Sequence, residues 1–330
     1  MRITERQIKA QFNRSAHQLY DANAKVQPLM AADLLKSILA HRPLTSVEWN
    51  GSPLQVLEIG CGTGALTLQL AQHLPPASLI TAVDLAPSML EAAHSKLNAC
   101  CPHTLDRVQF VEADAEQEQL PAILQTQMPT IVGGSAYEAK PTLPPFQLIA
   151  SNACFQWFQR PADTLRAFRQ LLATNGMLAF TTFGPDTMRE LHASFQEAYA
   201  LAGRPYRHHG LTFRSIGQWT ALLEEAGFRI LQASAHEQAE IHATPAAFLH
   251  AIKALGAAAS EAGTDTAFQL PMNSTGQPGA GAQRRLFREM FKAYAQRFAT
   301  PSGEGVTATY EALTFIAAPD AAFQSFSKRG

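Results

Sequence analysis

The run Val56-Leu57-Glu58-Ile59-Gly60-Cys61-Gly62-Thr63-Gly64-Ala65 constrains this chain more than any other stretch. A short apolar segment reaches an acid, three glycines follow at alternate positions, and Leu66, Leu70 and Leu74 then recur along one helical face. That pattern predicts a strand, a tight glycine turn and a helix. Glycine is needed where backbone turns sharply or approaches a ligand with no Cβ in the way. The spacing is not G-x-G-x-x-G, in which the pyrophosphate of a dinucleotide sits over the helix N-terminus. Here an acid precedes the first glycine, which suits a cationic ligand better than an anionic one. A βα turn without a ligand is the plain alternative.

Two further strands end in acids. Leu79-Ile80-Thr81-Ala82-Val83-Asp84 is a buried strand, and Leu85-Ala86-Pro87-Ser88-Met89-Leu90 opens a helix. An acid at the end of the second strand of a nucleotide-binding α/β unit can accept from both ribose hydroxyls. Asp84 can equally serve as a helix N-cap. Val108 to Glu116 supplies a third strand ending in Asp114, which is either solvated or faces a ligand.

Together E-x-G-x-G-x-G, D-x-x-x-x-M-L and the third acid resemble the motifs of the class I S-adenosylmethionine (SAM)-dependent methyltransferases. The resemblance implies that the turn carrying Glu58, Gly60, Cys61, Gly62 and Gly64 approaches the amino-acid and ribose parts of SAM. It implies that Asp84, beside Leu85, holds the ribose. Asp114 would accept from the adenine amine, with Ala115 behind the ring.

The fourth strand narrows the resemblance. Phe146 to Phe158 is the fourth strand and its exit, with S-N-x-x-x-Q-W, Ser151 to Trp157, at the strand end where open α/β sheets bind ligands. With Phe183-Gly184-Pro185-Asp186-Thr187 after the fifth strand and the N-terminal helix, it resembles the malonyl-acyl-carrier-protein O-methyltransferases of biotin synthesis. The resemblance covers about Phe12 to Ala317. By it Asn152 borders the cofactor, and Asn152, Gln156 and Trp157 border the methyl-transfer site; Phe155, Trp157 and Phe158 are otherwise core aromatics. Arg14 and Tyr20 are candidates for a lid over the pocket, or solvated residues of a packed helix. Pro185 is expected to start a helix that Asp186 or Thr187 caps. Arg189 is a surface charge or a guanidinium aimed at a substrate carboxylate or phosphate.

Alternating strands and helices predict a doubly wound Rossmann-like sheet, mostly parallel with an antiparallel last strand, plus N-terminal helices and helical insertions. The expected organisation is a helical lid over 1–50, a SAM-binding core over 51–200, and a substrate-side insertion with the final strands over 201–330. Asn175-Gly176 is expected to turn into the fifth strand. Residues 125–145 are expected as an inserted surface loop, 257–281 as a mobile stretch, and the chain from Pro319 as a frayed tail.

The implied reaction methylates the free carboxyl of malonyl-acyl carrier protein or malonyl-CoA, leaving S-adenosyl-L-homocysteine. Another small-molecule methyltransferase, or a SAM-binding assembly factor without turnover, shares the same cofactor motifs. A net charge of −1 argues against a general nucleic-acid binder. Four cysteines without C-x-x-C or zinc spacing, no apolar signal core and no membrane-length run suggest a reduced, cytoplasmic protein with no metal. An acidic carrier would suit a face drawn from Arg166, Arg169, Arg204, Arg207, Arg284, Arg285 and Arg288.

Overall fold

The computed structural model describes residues 4–16, 20–42, 53–127, 143, 145–256 and 280–322. Most of the 125–145 loop, of the 257–281 stretch and of the tail after Pro319 lies outside these residues.

The strands are β1 (Gln55–Ile59), β2 (Leu79–Asp84), β3 (Val108–Glu112), β4 (Phe146–Ser151), β5 (Leu172–Phe183), β6 (Phe228–His242) and β7 (Val306–Pro319). They form one sheet in the order β3-β2-β1-β4-β5-β7-β6, mostly parallel with the last strand antiparallel. β1 pairs in parallel with β2 on one side and β4 on the other. Strand order therefore reverses between β1 and β4, and open sheets bind ligands beyond the carboxyl ends of strands at such a switch point.

The helices are α1 (Glu5–Ala16), α2 (Tyr20–Asn23), α3 (Val26–His41), α4 (Ala65–His73), α5 (Pro87–Cys100) and α6 (Leu120–Gln127). After them come α7 (Pro161–Leu171), α8 (Arg189–Leu201), α9 (Ile216–Glu225), α10 (Pro245–Ala254) and α11 (Ala280–Arg297). No helix of the described residues is long and apolar enough to cross a membrane. The chain divides into two compact units, each built from three separated segments. One comprises Gln27–Thr182, Ser215–Ala235 and Leu313–Gly330; the other comprises Met1–Val26, Phe183–Arg214 and His236–Ala312.

In the first unit, alternation along the strands sends side chains to opposite faces of the sheet. Val56, Ile80, Ala82, Leu148, Ala150, Met177 and Ala179 join α3, α4 and α5 in one buried cluster. Leu57, Val83, Ile149, Leu178 and Phe180 join α6, α7 and α9 in the other. Phe180 stacks between Phe155 at 4.0 Å and Phe315 at 4.9 Å. Full burial of such rings contributes about 1.5–3 kcal/mol each. Helix α9 begins at a capping box, in which Ser215 accepts from the Gln218 N–H and the Gln218 side chain accepts in return.

Asn175-Gly176 does not turn into β5. The strand starts at Leu172, and both residues lie within it at a register shift opposite Phe146 and Leu148. A Cβ on Gly176 would meet the Ala173 carbonyl oxygen at 2.9 Å and the Phe146 carbonyl oxygen at 3.1 Å. The pair sits in a bulge-like irregularity of the strand, which uses the same residue type as a turn.

In the second unit, α8 packs against α11, and α10 packs against both α11 and α2. Phe195 of α8 meets Phe287 of α11 edge to face at 5.5 Å. Thr244 caps α10 by accepting from the Ala247 N–H, with Pro245 in the first turn. Pro185, however, does not start a helix, and neither Asp186 nor Thr187 caps one. Helix α8 begins at Arg189 behind Met188, which is left-handed at φ 61°. Glu311 of β7 explains the delay: its carboxylate accepts from the Asp186 N–H at 2.9 Å, and its own N–H donates to the Thr187 hydroxyl at 3.1 Å. The Phe183–Thr187 segment is thereby tied down as a turn.

Candidate functional site

The glycine turn is built by three glycines with three different reasons to be glycine. Gly60 is left-handed at φ +66°, and a Cβ there would lie 2.3 Å from Cys154 Sγ at the exit of β4. Gly64, which precedes α4, would bring a Cβ within 3.0 Å of the Ala93 Cβ, so it sets the approach of α4 to α5. Gly62 has φ +53° and nothing within 4 Å of its missing Cβ. The space over Gly62 is open. The Cys61 N–H donates to the Val83 carbonyl at 3.0 Å, which fastens the turn to the end of β2.

Acids ring this turn. Glu58 is 1% exposed, and its Oε2 is buried with no hydrogen-bond partner among the described residues. Burial pushes its carboxyl from 4.5 up to about 8; neighbouring Thr67 offsets part of this and Asp84 adds to it. Asp84 accepts from the Gly62 N–H at 2.8 Å through Oδ2 and from the Ala86 N–H at 2.9 Å through Oδ1. Burial raises it from 3.8 to about 6 against those backbone bonds. Ala86 occupies the N-cap of α5, so Asp84 is not the cap. The two oxygens of an ionised carboxylate offer about four acceptor sites, so Asp84 retains capacity beyond its backbone bonds. Asp114, half-buried past β3, accepts from the Glu116 N–H at 2.9 Å, and Ala115 packs against the core beneath. Leu85 is half-buried beside Asp84, while burial pushes the Cys61 and Cys154 thiols up.

An unpartnered buried carboxylate oxygen, an acid with spare acceptors one strand away and an uncovered glycine backbone fit a ligand that is cationic at one end and bears vicinal hydroxyls. Ionising Glu58 without a cation would leave a buried uncompensated charge. Among the described residues, no three His, Cys, Asp or Glu side chains are grouped to hold a metal ion.

The β4 exit borders the same turn. Ser151 donates to the Ile59 carbonyl at 2.8 Å. Asn152 donates to the Gln27 carbonyl at 3.0 Å and accepts from the Thr181 hydroxyl at 2.7 Å. Gln156 donates to the Ala153 carbonyl at 2.6 Å and accepts from the Thr182 hydroxyl at 3.1 Å. Phe155 and Phe158 are core residues, whereas Trp157 between them is half-buried. The core-aromatic reading thus holds for two of the three rings.

Arg14, Tyr20 and Arg189 belong to the other unit. Arg14 is exposed near the end of α1, and Tyr20 is half-buried at the start of α2. Arg189 holds the Glu237 carboxylate through both terminal nitrogens, one of them at 2.9 Å, with its side chain 47% exposed.

Two residues carry no motif signal and still shape the site. Glu116 accepts from the Gln159 N–H at 2.8 Å and the Arg160 N–H at 2.6 Å, joining the β3 exit to the β4 exit. Gln27 at the start of α3 receives Asn152 on its backbone, and its side-chain Oε1 is buried without a hydrogen-bond partner among the described residues.

Residues 29–233 match the methyltransferase domain family. The crystal structure of a candidate methyltransferase from Bacillus halodurans C-125 shares the fold, with a TM-score of 0.51 at 16% identity, covering 88% of this chain and 100% of that one. The sheet order and the acid-edged glycine turn define a class I methyltransferase. The chain is 37% identical over 310 residues to the malonyl-[acyl-carrier protein] O-methyltransferase of Paenibacillus sp. (strain JDR-2), covering 94% of this chain and 97% of that protein. It is 34% identical over 315 residues to the protein of the same name from Brevibacillus brevis, covering 94% and 95%. The chain belongs to the malonyl-[acyl-carrier protein] O-methyltransferase family.

Proposed function

We propose that the protein binds SAM over the Gly60–Gly64 turn and methylates the free carboxylate of a malonyl thioester carried by acyl carrier protein. The observation that carries the cofactor reading is the buried, unpartnered Glu58 oxygen beside the open face of Gly62. The substrate reading rests on relatives that match nearly the full chain and bear that activity in their names.

SAM, when bound, supplies a methyl group activated by a sulfonium leaving group. Glu58, ionised in the presence of a cation, would neutralise part of its charge, and Asp84 would accept from ribose hydroxyls. Asp114 would accept from the adenine amine. The malonyl carboxylate is ionised at neutral pH and attacks without a general base. The carboxylate oxygen would gain the methyl group as the sulfonium sulfur gave it up, so the products would be a methyl ester and S-adenosyl-L-homocysteine. The protein contributes alignment and exclusion of water. Asn152 and Gln156 would hold the β4 exit in shape, and Trp157 is the candidate for substrate contact there. The ester removes the charge from one end of the acyl group, so chain-extending enzymes can treat it as an apolar primer, consistent with a role in making the pimeloyl part of biotin.

The test is methyl transfer from labelled SAM to malonyl-acyl carrier protein, with malonyl-CoA, free malonate and the unacylated carrier in parallel. A base-labile methyl ester on the malonyl thioester, and none on the unacylated carrier, is the expected result. Transfer to none of the malonyl compounds would overturn the substrate reading.

A further inference from the structure

We propose that the outer face of α11 is a docking surface for the acidic protein carrier; the inference rests on the substrate reading above. Arg284, Arg288 and Lys292 recur at four-residue spacing, with Arg285 adjacent, and all four are exposed. Leu286, Phe287, Met290, Ala293 and Tyr294 are buried on the same helix, which packs on α8.

The charge is concentrated there. The whole chain balances 26 Lys and Arg against 27 Asp and Glu, whereas α11 carries five cations and one acid, Glu289. Two of the candidate arginines outside α11 are already engaged: Arg166 bonds Asp163 at 2.5 Å and Glu225 at 3.3 Å, and Arg169 donates to the Gly227 carbonyl at 3.2 Å. On α11, Arg297 is held by Glu197 at 3.2 Å, and among the described residues Arg288 meets only its neighbour Glu289 as an ion pair, at 3.2 Å with 73% of its side chain exposed. Among the described residues Arg284, Arg285 and Lys292 have no ion-pair partner.

An uncompensated stripe of this kind attracts an anionic macromolecule from a distance and gives an encounter that salt weakens. A protein carrier fits better than a membrane surface. A helix that lies in a bilayer needs an apolar face to insert, and that face of α11 is already buried. An acidic carrier needs only the exposed charges, and docking there would act on the carrier rather than on the acyl group.

The experiment compares wild type with the variant R284E/R285E/R288E on two substrates: malonyl-acyl carrier protein, and the malonyl thioester of N-acetylcysteamine, which has no protein carrier. The variant is expected to lose on the order of tenfold or more in kcat/KM with the carrier, through KM and with a flatter salt dependence. Activity on the small thioester should be unchanged, as should both activities in R229E, an exposed arginine of the sheet unit. Equal loss on both substrates, or no loss on either, would overturn the docking face. So would loss of binding to anionic phosphatidylglycerol vesicles with carrier kinetics intact. A wild-type protein that methylates neither thioester would instead overturn the substrate reading, and the docking face with it.

Discussion

Gly60 lies directly against Cys154, so that a Cβ on the glycine would fall 2.3 Å from the Cys154 sulfur and 2.7 Å from its Cβ. The end of β1 and the exit of β4 can meet this closely only because one of the two residues has no side chain. Gly60→Ala therefore meets both a packing clash and a left-handed backbone. The expected loss is about 2–4 kcal/mol in urea unfolding, from overpacking and the φ > 0 penalty together. In the Cys154→Gly background the packing share should disappear and only the backbone share, about 1–2 kcal/mol, should persist. An undiminished loss in that background would show that the clash is not the cause.

Gly62→Ala should behave differently. Nothing lies within 4 Å of the added methyl, so only the left-handed φ of +53° opposes it, a stability loss of about 1–2 kcal/mol. The methyl would occupy the space assigned to the ligand, so SAM affinity should fall on the order of tenfold or more, which corresponds to about 1.4 kcal/mol. Equilibrium dialysis of the folded variant checks this. Wild-type affinity would place the ligand elsewhere.

The buried acids give the ligand-free protein a pH signature. Glu58 rises from 4.5 to about 8 and Asp84 from 3.8 to about 6. The folded state then holds protons that the unfolded chain has released, so their contribution to stability falls as pH rises through those windows. His192 acts oppositely: burial, with His208 and His209 nearby, lowers it from 6.5 to about 4. Its folded form binds fewer protons between those values, and stability from it rises with pH up to about 6.5. Between about pH 6.5 and 8 Glu58 dominates among these three groups, with a slope approaching about −1.4 kcal/mol per pH unit. Urea unfolding at both ends of that window should show a smaller drop for Glu58→Gln than for wild type. Parallel behaviour would mean that Glu58 is ionised throughout.

Glu116 is the tie between two strand exits. Glu116→Ala leaves the Gln159 and Arg160 amides without their acceptor and should lower stability by about 1–3 kcal/mol. Hydrogen exchange at those two amides should accelerate more than in the strands. Glu116→Gln, which keeps one acceptor oxygen, should lose less. Unchanged exchange in the alanine variant would rule out the tie.

These residues also mark what the sequence makes legible. Glu58, Asp84 and Asp114 stand out because each follows a short apolar strand, and parallel pairing then brings the ends of successive strands together. Glu116 does not stand out, since its partners lie 43 to 48 residues away and form no motif with it. Gln27 is similar: its link to Asn152 spans 125 residues. Asn175-Gly176 reads as a turn because a bulge and a turn both favour small or turn-prone residues, and only the pairing of β4 with β5 distinguishes them. Pro185-Asp186-Thr187 reads as a helix start because the competing partner, Glu311, comes from the last strand.

Binding of SAM to the ligand-free protein tests the central claim most directly, measured by equilibrium dialysis for wild type, Glu58→Gln, Asp84→Asn and Asp114→Asn. The account predicts one site per chain in wild type and weaker binding in each variant, with the variants still folded. No binding to wild type, or wild-type affinity in all three variants, would contradict a cofactor site at the acid-ended strands.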